Sequence, residues 1–336
     1  MATVRDVARR AGVSPSTASI VLGGKAQQRH ISEQTCQKVE QAARELGYTP
    51  SLEARSLRGQ GGPGPLKVAL FWADDRRIVY LTRFLQGAFP ELPARNMALE
   101  VLPYTPGALS RQEALTGGQR FHAAILANAG EQDLQWLQGQ SLPFPLVVYN
   151  RAAAGYPCVH AEERQIGQAA ARLLLQRGKR RVAVLTSHPH WKEIALREEQ
   201  LQKTLGDGGI FVPADWIFRE ENSIRGGERA CRQLLNRLWA QEFRPDSLYC
   251  CSDAMAYGAL QVLHRQGIRV PQDMAVLAVG NGDPDYRDAC LVPLTAVQVP
   301  IEEMARQCLL LVEKLLRREE AGDVRVPAPV EERQSL

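Results

Sequence analysis

From Leu66 onward, short apolar runs alternate with amphipathic stretches of helical length, and this alternation constrains the fold more than any other feature of the chain. "LKVALFW", "MALEVLPY", "HAAILAN", "PLVVYN", "RVAVLTS", "SLYCCS", "MAVLAVG" and "PLTAVQVP" read as strands. Between them, "LTRFLQGAF", "SRQEALTGG", "IGQAAARLLLQRG", the stretch from Trp191 to Leu205, "SIRGGERACRQLLNRLWAQ", "AMAYGALQVLHRQG" and "IEEMARQCLLLVEKLLRR" read as helices. Strands alternating with helices of this length predict parallel, doubly wound sheets. The run is too long for one such sheet, so two α/β lobes are expected, with a ligand cleft at the strand ends between them.

The segment before Leu66 follows different rules. "GQGGPGP" at 59–65 is glycine- and proline-rich and uncharged, which marks a linker. Upstream of it, "TVRDVARRAG" is a short helix: Thr3 and Asp6 make a capping-box-like start, Val4, Val7, Ala8 and Ala11 form an apolar stripe, and Gly12 ends it. In "VSPSTASIVLGG", Ser14 is a good N-cap and Pro15 falls at the first helical position, where its missing N–H costs nothing. Ala18, Val21 and Leu22 then share a buried face, and Ser16, Ser19 and Ile20 point elsewhere. A third helix opens at Ser32, keeps Val39, Ala43 and Leu46 inside and stops at Gly47. Two short helices around a glycine turn, braced by a third, form the helix-turn-helix pattern, whose second helix enters the DNA major groove. Small hydroxyl side chains there let the helix approach base edges and phosphates.

Charge supports the same reading. Residues 1–60 carry nine lysines and arginines against five acids, so this stretch accounts for the whole net charge of +4 over 336 residues. A basic head on a neutral body suits a polyanion partner. Length allows two or three domains. No apolar run is long enough to span a bilayer and a charged helix begins at once, so a soluble, cytoplasmic protein is expected, with no membrane partner. The seven cysteines are scattered without a C-x-x-C pair and read as reduced thiols. No G-x-G-x-x-G, Walker loop, G-x-S-x-G or H-E-x-x-H occurs. His188 and His190 read as a solvated loop, so neither catalytic residues, metal nor cofactor are expected.

The chain resembles the LacI/GalR family of bacterial transcription regulators over essentially its whole length. The resemblance rests on "TVRDVARRAGVSPSTASIVLGG", "ISEQTCQKVEQAARELGYTPSLEARSLRG", "RGKRRVAVL", "CCSDAMAYGALQVLHRQGIRVPQDMAVLAVGN" and "VPLTAVQVPIEEMARQ". It implies an all-α helix-turn-helix DNA-binding head plus a two-lobed, periplasmic-binding-protein-like effector domain of two parallel doubly wound sheets. The expected layout is a head at 1–50, a hinge helix and linker at 51–65, a first lobe at 66–155 and 291–317, and a second lobe at 156–290 and 318–336. The resemblance further implies a homodimer on a palindromic double-stranded DNA operator, acting as a repressor under the control of a small-molecule effector.

By the same resemblance, Pro15, Ser16 and Ile20 fall where the family reads bases, and Ser14, Thr17 and Ser19 where it meets phosphates or caps the helix. Thr3 and Arg29 complete the DNA-facing set of the head. Ala54, Leu57 and Arg58 match the hinge helix that enters the minor groove. That helix is too short to stand alone in water, and Leu57 is expected to wedge between base pairs. Arg197 matches the family's effector-binding arginine; otherwise it would pair with Glu193 or Glu198 on its own helix. Asn150, Asn222 and Ser252 match further cleft positions, and Asp74, Tyr80, Asn281 and Asp283 complete the candidate set. In "VGNGDPDY", Gly282 stands where many relatives carry an aspartate, and Asn150 stands where an acid is common. The loss of two acids beside a retained Arg197 tilts the expectation toward an anionic or weakly hydroxylated effector, with a sugar-derived one left open because Asp283 or Asp74 could supply the acid. A different class, a cytoplasmic small-molecule-binding α/β protein whose head serves only oligomerisation, leaves the basic head without a purpose.

Overall fold

The computed structural model describes residues 3–22, 26, 29, 31–46, 64–74, 78–117, 120–188, 192–239 and 244–336. The hinge positions Ala54, Leu57 and Arg58 lie outside the described residues, with most of the 51–65 linker.

The head is three helices, α1 (Val4–Ala11), α2 (Pro15–Leu22) and α3 (Glu33–Glu45). Each start is set by a neighbour three residues away. Thr3 Oγ1 accepts from the Asp6 N–H while Asp6 Oδ2 accepts from the Thr3 N–H, a complete capping box. Ser14 Oγ accepts from the Thr17 N–H at 3.0 Å, and Ser32 Oγ from the Thr35 N–H at 3.3 Å. Gly12 ends α1 in the left-handed region, φ 66°, which favours glycine. Val7, Ala8, Ala18, Val21, Val39, Ala42 and Ala43 fill the space between the helices. Leu46, which helical spacing would place inside, is 37% exposed, because α3 ends at Glu45 and Leu46 is its C-cap.

The body alternates strands and helices in chain order: β1 (Leu66–Ala73), α4 (Ile78–Ala88), β2 (Met97–Tyr104), α5 (Glu113–Thr116), β3 (Ala123–Ala127), α6 (Glu131–Gln138), β4 (Leu146–Tyr149) and β5 (Cys158–Ala161). Then come α7 (Glu163–Gln176), β6 (Val182–Ser187), α8 (Lys192–Asp207), β7 (Ile217–Glu220), α9 (Ile224–Leu234), β8 (Ser247–Cys250), α10 (Asp253–Arg265) and β9 (Ala275–Gly280). The last are α11 (Pro284–Ala289), β10 (Thr295–Gln298), α12 (Ile301–Leu316), β11 (Val324–Val326) and β12 (Val330–Glu331). One sheet runs β2-β1-β3-β4-β5-β11 and the other β7-β6-β8-β9-β10-β12. The two lobes thus repeat one winding, and only the β10–β12 pair is antiparallel among the described strands. β3, β6, β8 and β9 are buried at every residue, as helices on both faces of a parallel sheet require. In each sheet the order reverses at one point, β1/β3 and β6/β8, the place where open α/β sheets form a ligand crevice at the carboxyl ends of the strands.

The lobe limits differ from those the sequence suggests, because pairing, not chain position, assigns a strand. Cys158–Ala161, placed in the second lobe, pairs with β4 in the first sheet, with Val148 opposite Cys158. Thr295–Gln298, placed in the first lobe, pairs with β9 in the second. Val324–Val326, placed in the second lobe, pairs with β5 in the first. The chain therefore crosses between lobes three times. The crossings lie side by side: the Glu162 N–H donates to Val326 O at 3.1 Å and the Gln298 N–H to Pro329 O at 2.8 Å.

Candidate nucleic-acid interface and inter-lobe cleft

In the head, Ala18 and Val21 turn inward at 0% and 6% exposure, while Ser14, Pro15 and Ser16 are exposed at the N-terminal turn of α2. Thr17, Ser19 and Ile20 are half-buried and Arg29 is exposed. The Ser14 and Thr17 hydroxyls bond each other at 2.8 Å, so both build the start of the helix. The Thr3 hydroxyl is likewise held by Asp6, at 2.6 Å. The outward turn of α2 therefore presents small side chains and a helix N-terminus, the part of a recognition helix that meets base edges and phosphates. Arg10 ties α1 to α3 through Glu45 at 2.8 Å, which fixes the brace behind that turn.

In the body, the carboxyl ends of the strands gather polar groups at the crevice. Asn128 and Asn150 follow β3 and β4 with φ of 57° each, a left-handed conformation that asparagine tolerates better than most residues. Asn128 is 2% exposed, and both atoms of its side-chain amide are buried with no hydrogen-bond partner among the described residues. Across the crevice, Arg197 on α8 is 6% exposed. Burial alone would lower its pKa, but the Glu163 carboxylate at the start of α7, ion-paired to its Nε, outweighs that and holds the guanidinium above its ordinary value. Tyr249 on β8 and Tyr80 on α4, from opposite lobes, add to the field at Arg197. Glu163 Oε1 and the Tyr249 hydroxyl are buried without partners among the described residues. The alternative partners of Arg197 are taken: Glu193 binds Arg151 at 2.7 Å and Glu198 binds Arg219 at 2.9 Å.

The other candidates divide. Ser252 and Asn222 meet, the Ser252 hydroxyl donating to Asn222 Oδ1 at 2.5 Å, and Ser252 Oγ also caps α10 by accepting from the Met255 N–H. Asp283 caps α11, its Oδ1 accepting from the Asp285 N–H at 3.0 Å. Asn281 is buried at 7% exposure and Asp74 is exposed at the end of β1. A Cβ at Gly282 would lie 3.0 Å from both carboxylate oxygens of Asp253, so Asp253 occupies the space that a side chain at 282 would need. Burial pushes the thiol of Cys251, beside this cluster, up to about 12, which leaves it an inert packing group. Among the described residues no cluster of histidine, cysteine and acid side chains suits a metal ion.

Three features escape sequence reasoning. Glu163 is one of two adjacent acids ahead of a helix, and nothing local distinguishes it from Glu162. Arg151 reaches across the lobes to Glu193. Arg83, 2% exposed on α4, binds Glu302 at 2.6 Å and donates to the carbonyls of Gly282 at 3.2 Å and Val299 at 3.3 Å, so one guanidinium reads both lobes. None of these carried a usable sequence signal; Asn128, a fourth residue missed, did, as an asparagine directly after the all-apolar strand β3.

Comparison with known proteins agrees with both halves. A model of the lacI family of bacterial regulatory proteins matches residues 3–51, and one of a periplasmic binding protein-like domain matches residues 159–336. The HTH-type transcriptional regulator GntR of Pseudomonas aeruginosa is 29% identical, over 96% of this chain and 91% of that protein. The ribose operon repressor of Haemophilus influenzae is 27% identical, over 95% of this chain and 92% of its own. A crystal structure of a LacI family transcription regulator from Clostridium acetobutylicum is 30% identical and superposes with a TM-score of 0.74, covering 80% of this chain and 99% of that one. A helix-turn-helix head with two similarly wound lobes, and these likenesses along its length, makes the chain a DNA-binding transcription regulator that belongs to the LacI family of bacterial regulatory proteins.

Proposed function

We propose that this protein is a repressor that binds a palindromic operator as a homodimer and is controlled by a small molecule held between its lobes. The observation that carries the reading is the charged, buried cluster of Arg197, Glu163 and Tyr249, which faces Tyr80 of the opposite lobe. A polar cluster enclosed by two lobes, with buried oxygens still lacking partners, is suited to a ligand rather than to stability. Arg197, Tyr80, Asn150 and Asn281, with Asn128 added, are the effector-facing set in this reading; Asn222, Ser252 and Asp283 shape the backbone around it, and Asp74 stands at its rim. Ser16 and Ile20 read bases, and Ser14, Pro15, Thr17, Ser19, Thr3 and Arg29 position the helix on the phosphates.

Ala54, Leu57 and Arg58, outside the described residues, would form the hinge that pairs with the dimer mate in the minor groove. A change in the angle between lobes alters that pairing, and with it the affinity for DNA. The links that cross the lobes, Arg151–Glu193 and Arg83 to the Gly282 carbonyl, would change with it. The ribose operon repressor of Haemophilus influenzae supports the repressor reading by its name.

The test is a selection from randomised DNA, followed by anisotropy titrations against salt. A palindromic site, a steep log–log salt slope and an altered preference in Ile20→Ala support the reading. Binding without sequence preference, or an Ile20→Ala variant that selects the same site, overturns it. Loss of small-molecule response in Arg197→Ala with operator affinity retained tests the cleft.

A further inference from the structure

We infer that Glu163 sets the charge class of the effector: by neutralising Arg197 inside the cleft it selects an uncharged ligand rich in hydroxyls and rejects anions. The inference rests on the cleft reading above and sharpens it. An arginine alone in a buried cleft is an anion site, because its guanidinium matches carboxylate and phosphate. Here that charge is already answered. The side chains of Arg197 and Glu163 are 7% and 10% exposed and ion-paired. The pair is fixed by the backbone: a Cβ at Gly167, one turn after Glu163, would strike the Arg197 carbonyl oxygen, so α7 and α8 touch where the two side chains meet.

The groups left over specify what the ligand must offer. Glu163 Oε1 is buried without a partner, and an ionised carboxylate only accepts hydrogen bonds. The Tyr249 hydroxyl, also buried without a partner, can accept as well as donate. A ligand hydroxyl supplies the donor that Glu163 lacks, whereas a ligand carboxylate or phosphate brings only acceptors and a second negative charge. The other arginines bordering the cleft are no better placed to receive an anion. Arg83 is paired with Glu302, Arg151 with Glu193 and Arg287 with Asp253.

The carboxylate missing from position 282 therefore returns from another element. A side chain at 282 would press on the Asp253 carboxylate, and Glu163 brings an acid into the cleft from the start of α7. The tilt toward an anionic effector presumed an Arg197 with no acid beside it; Glu163 removes that premise.

The test is calorimetry on the full chain without DNA, using pairs that differ in charge alone: glucose with glucuronate, glucitol with gluconate, and ribose with ribose 5-phosphate. The native chain is expected to bind at least one neutral member, with its anionic counterpart at least tenfold weaker. Glu163→Gln should shrink that ratio at least tenfold, and Glu163→Asp should keep it; thermal melts report whether each variant is folded. A native chain that prefers an anion, that binds no neutral member, or that shows the same ratio in Glu163→Gln overturns the inference. Because no DNA is present, failure here leaves operator binding untouched, and failure of operator binding leaves this ratio readable.

Discussion

Asp6 in the head and Asp253 in the body are held in opposite ways. In the head, Asp6 is exposed, and hydrogen bonds from Thr3, aided by Arg9, hold its carboxyl below the usual range. In the body, Asp253 is 2% exposed, and burial pushes its carboxyl up against the opposing pull of the Gly282 N–H and Arg287. Among its described residues the head buries nothing larger than valine, and it relies on caps between residues three apart. The body buries Phe71, Phe84, Tyr149 and the whole Arg287 side chain, and relies on partners tens of residues away. A small core leans on caps within one turn, whereas a large core can hold a charged pair away from water.

The largest expected effect lies in the body. Arg287→Ala leaves Asp253 buried without its cation and should cost about 3–5 kcal/mol in denaturant unfolding. The pH dependence follows from the direction of the shift. A carboxyl raised in the folded state favours folding on the acid side and loses that contribution as pH rises through the folded value. Removing Arg287 raises Asp253 further, so the deficit should widen from pH 5 to pH 8. A deficit that narrows over that range would break the contrast. Asp6, lowered, contributes above its ordinary value and loses this as pH falls, so NMR on acidification should show the head losing stability as Asp6 protonates.

Next comes Gly167→Ala, which pushes α7 off the Arg197 backbone and should cost about 1–3 kcal/mol. It should also weaken ligand binding in the cleft; a stability loss with cleft affinity intact would separate helix packing from the Arg197–Glu163 geometry. Ser14→Ala removes the cap of α2 and should lower head stability by about 1 kcal/mol, with the body transition unmoved. The smallest effect belongs to Arg151→Gln, which breaks a half-buried cross-lobe pair and should cost under about 1 kcal/mol. Its signature is a shift in the ligand concentration needed to change operator affinity, with the melting temperature nearly unchanged. An Arg151→Gln chain that responds like the native one would leave that pair a surface contact only.

Much of the fold was legible in the residues, and the head most of all. Thr3 with Asp6, Ser14 with Pro15, and Ser32 mark the start of each helix there and Gly12 marks the end of α1, whereas Leu46 falls outside α3. In the body the long strands and helices were visible, but the short strands at or beside the sheet edges were not. β5, β7, β11 and β12 are two to four residues long and take their conformation from the neighbour they pair with. The effector-facing candidates show the same limit. Arg197 was legible by resemblance, whereas Glu163 looks like any surface acid until α7 is laid against α8.

The sequence by itself determined where the three helices of the head begin, that the body winds strand against helix, and that excess positive charge stays in the first 60 residues. These depend on contacts within one or two turns and on periodicity, which the order of residues states directly. Only the tertiary structure decided which lobe owns Cys158–Ala161, Thr295–Gln298 and Val324–Val326, and which acid answers Arg197. Glu163 and Arg197 lie 34 positions apart. They meet because Gly167 lets two helix backbones touch, a distance that packing sets and no local pattern encodes.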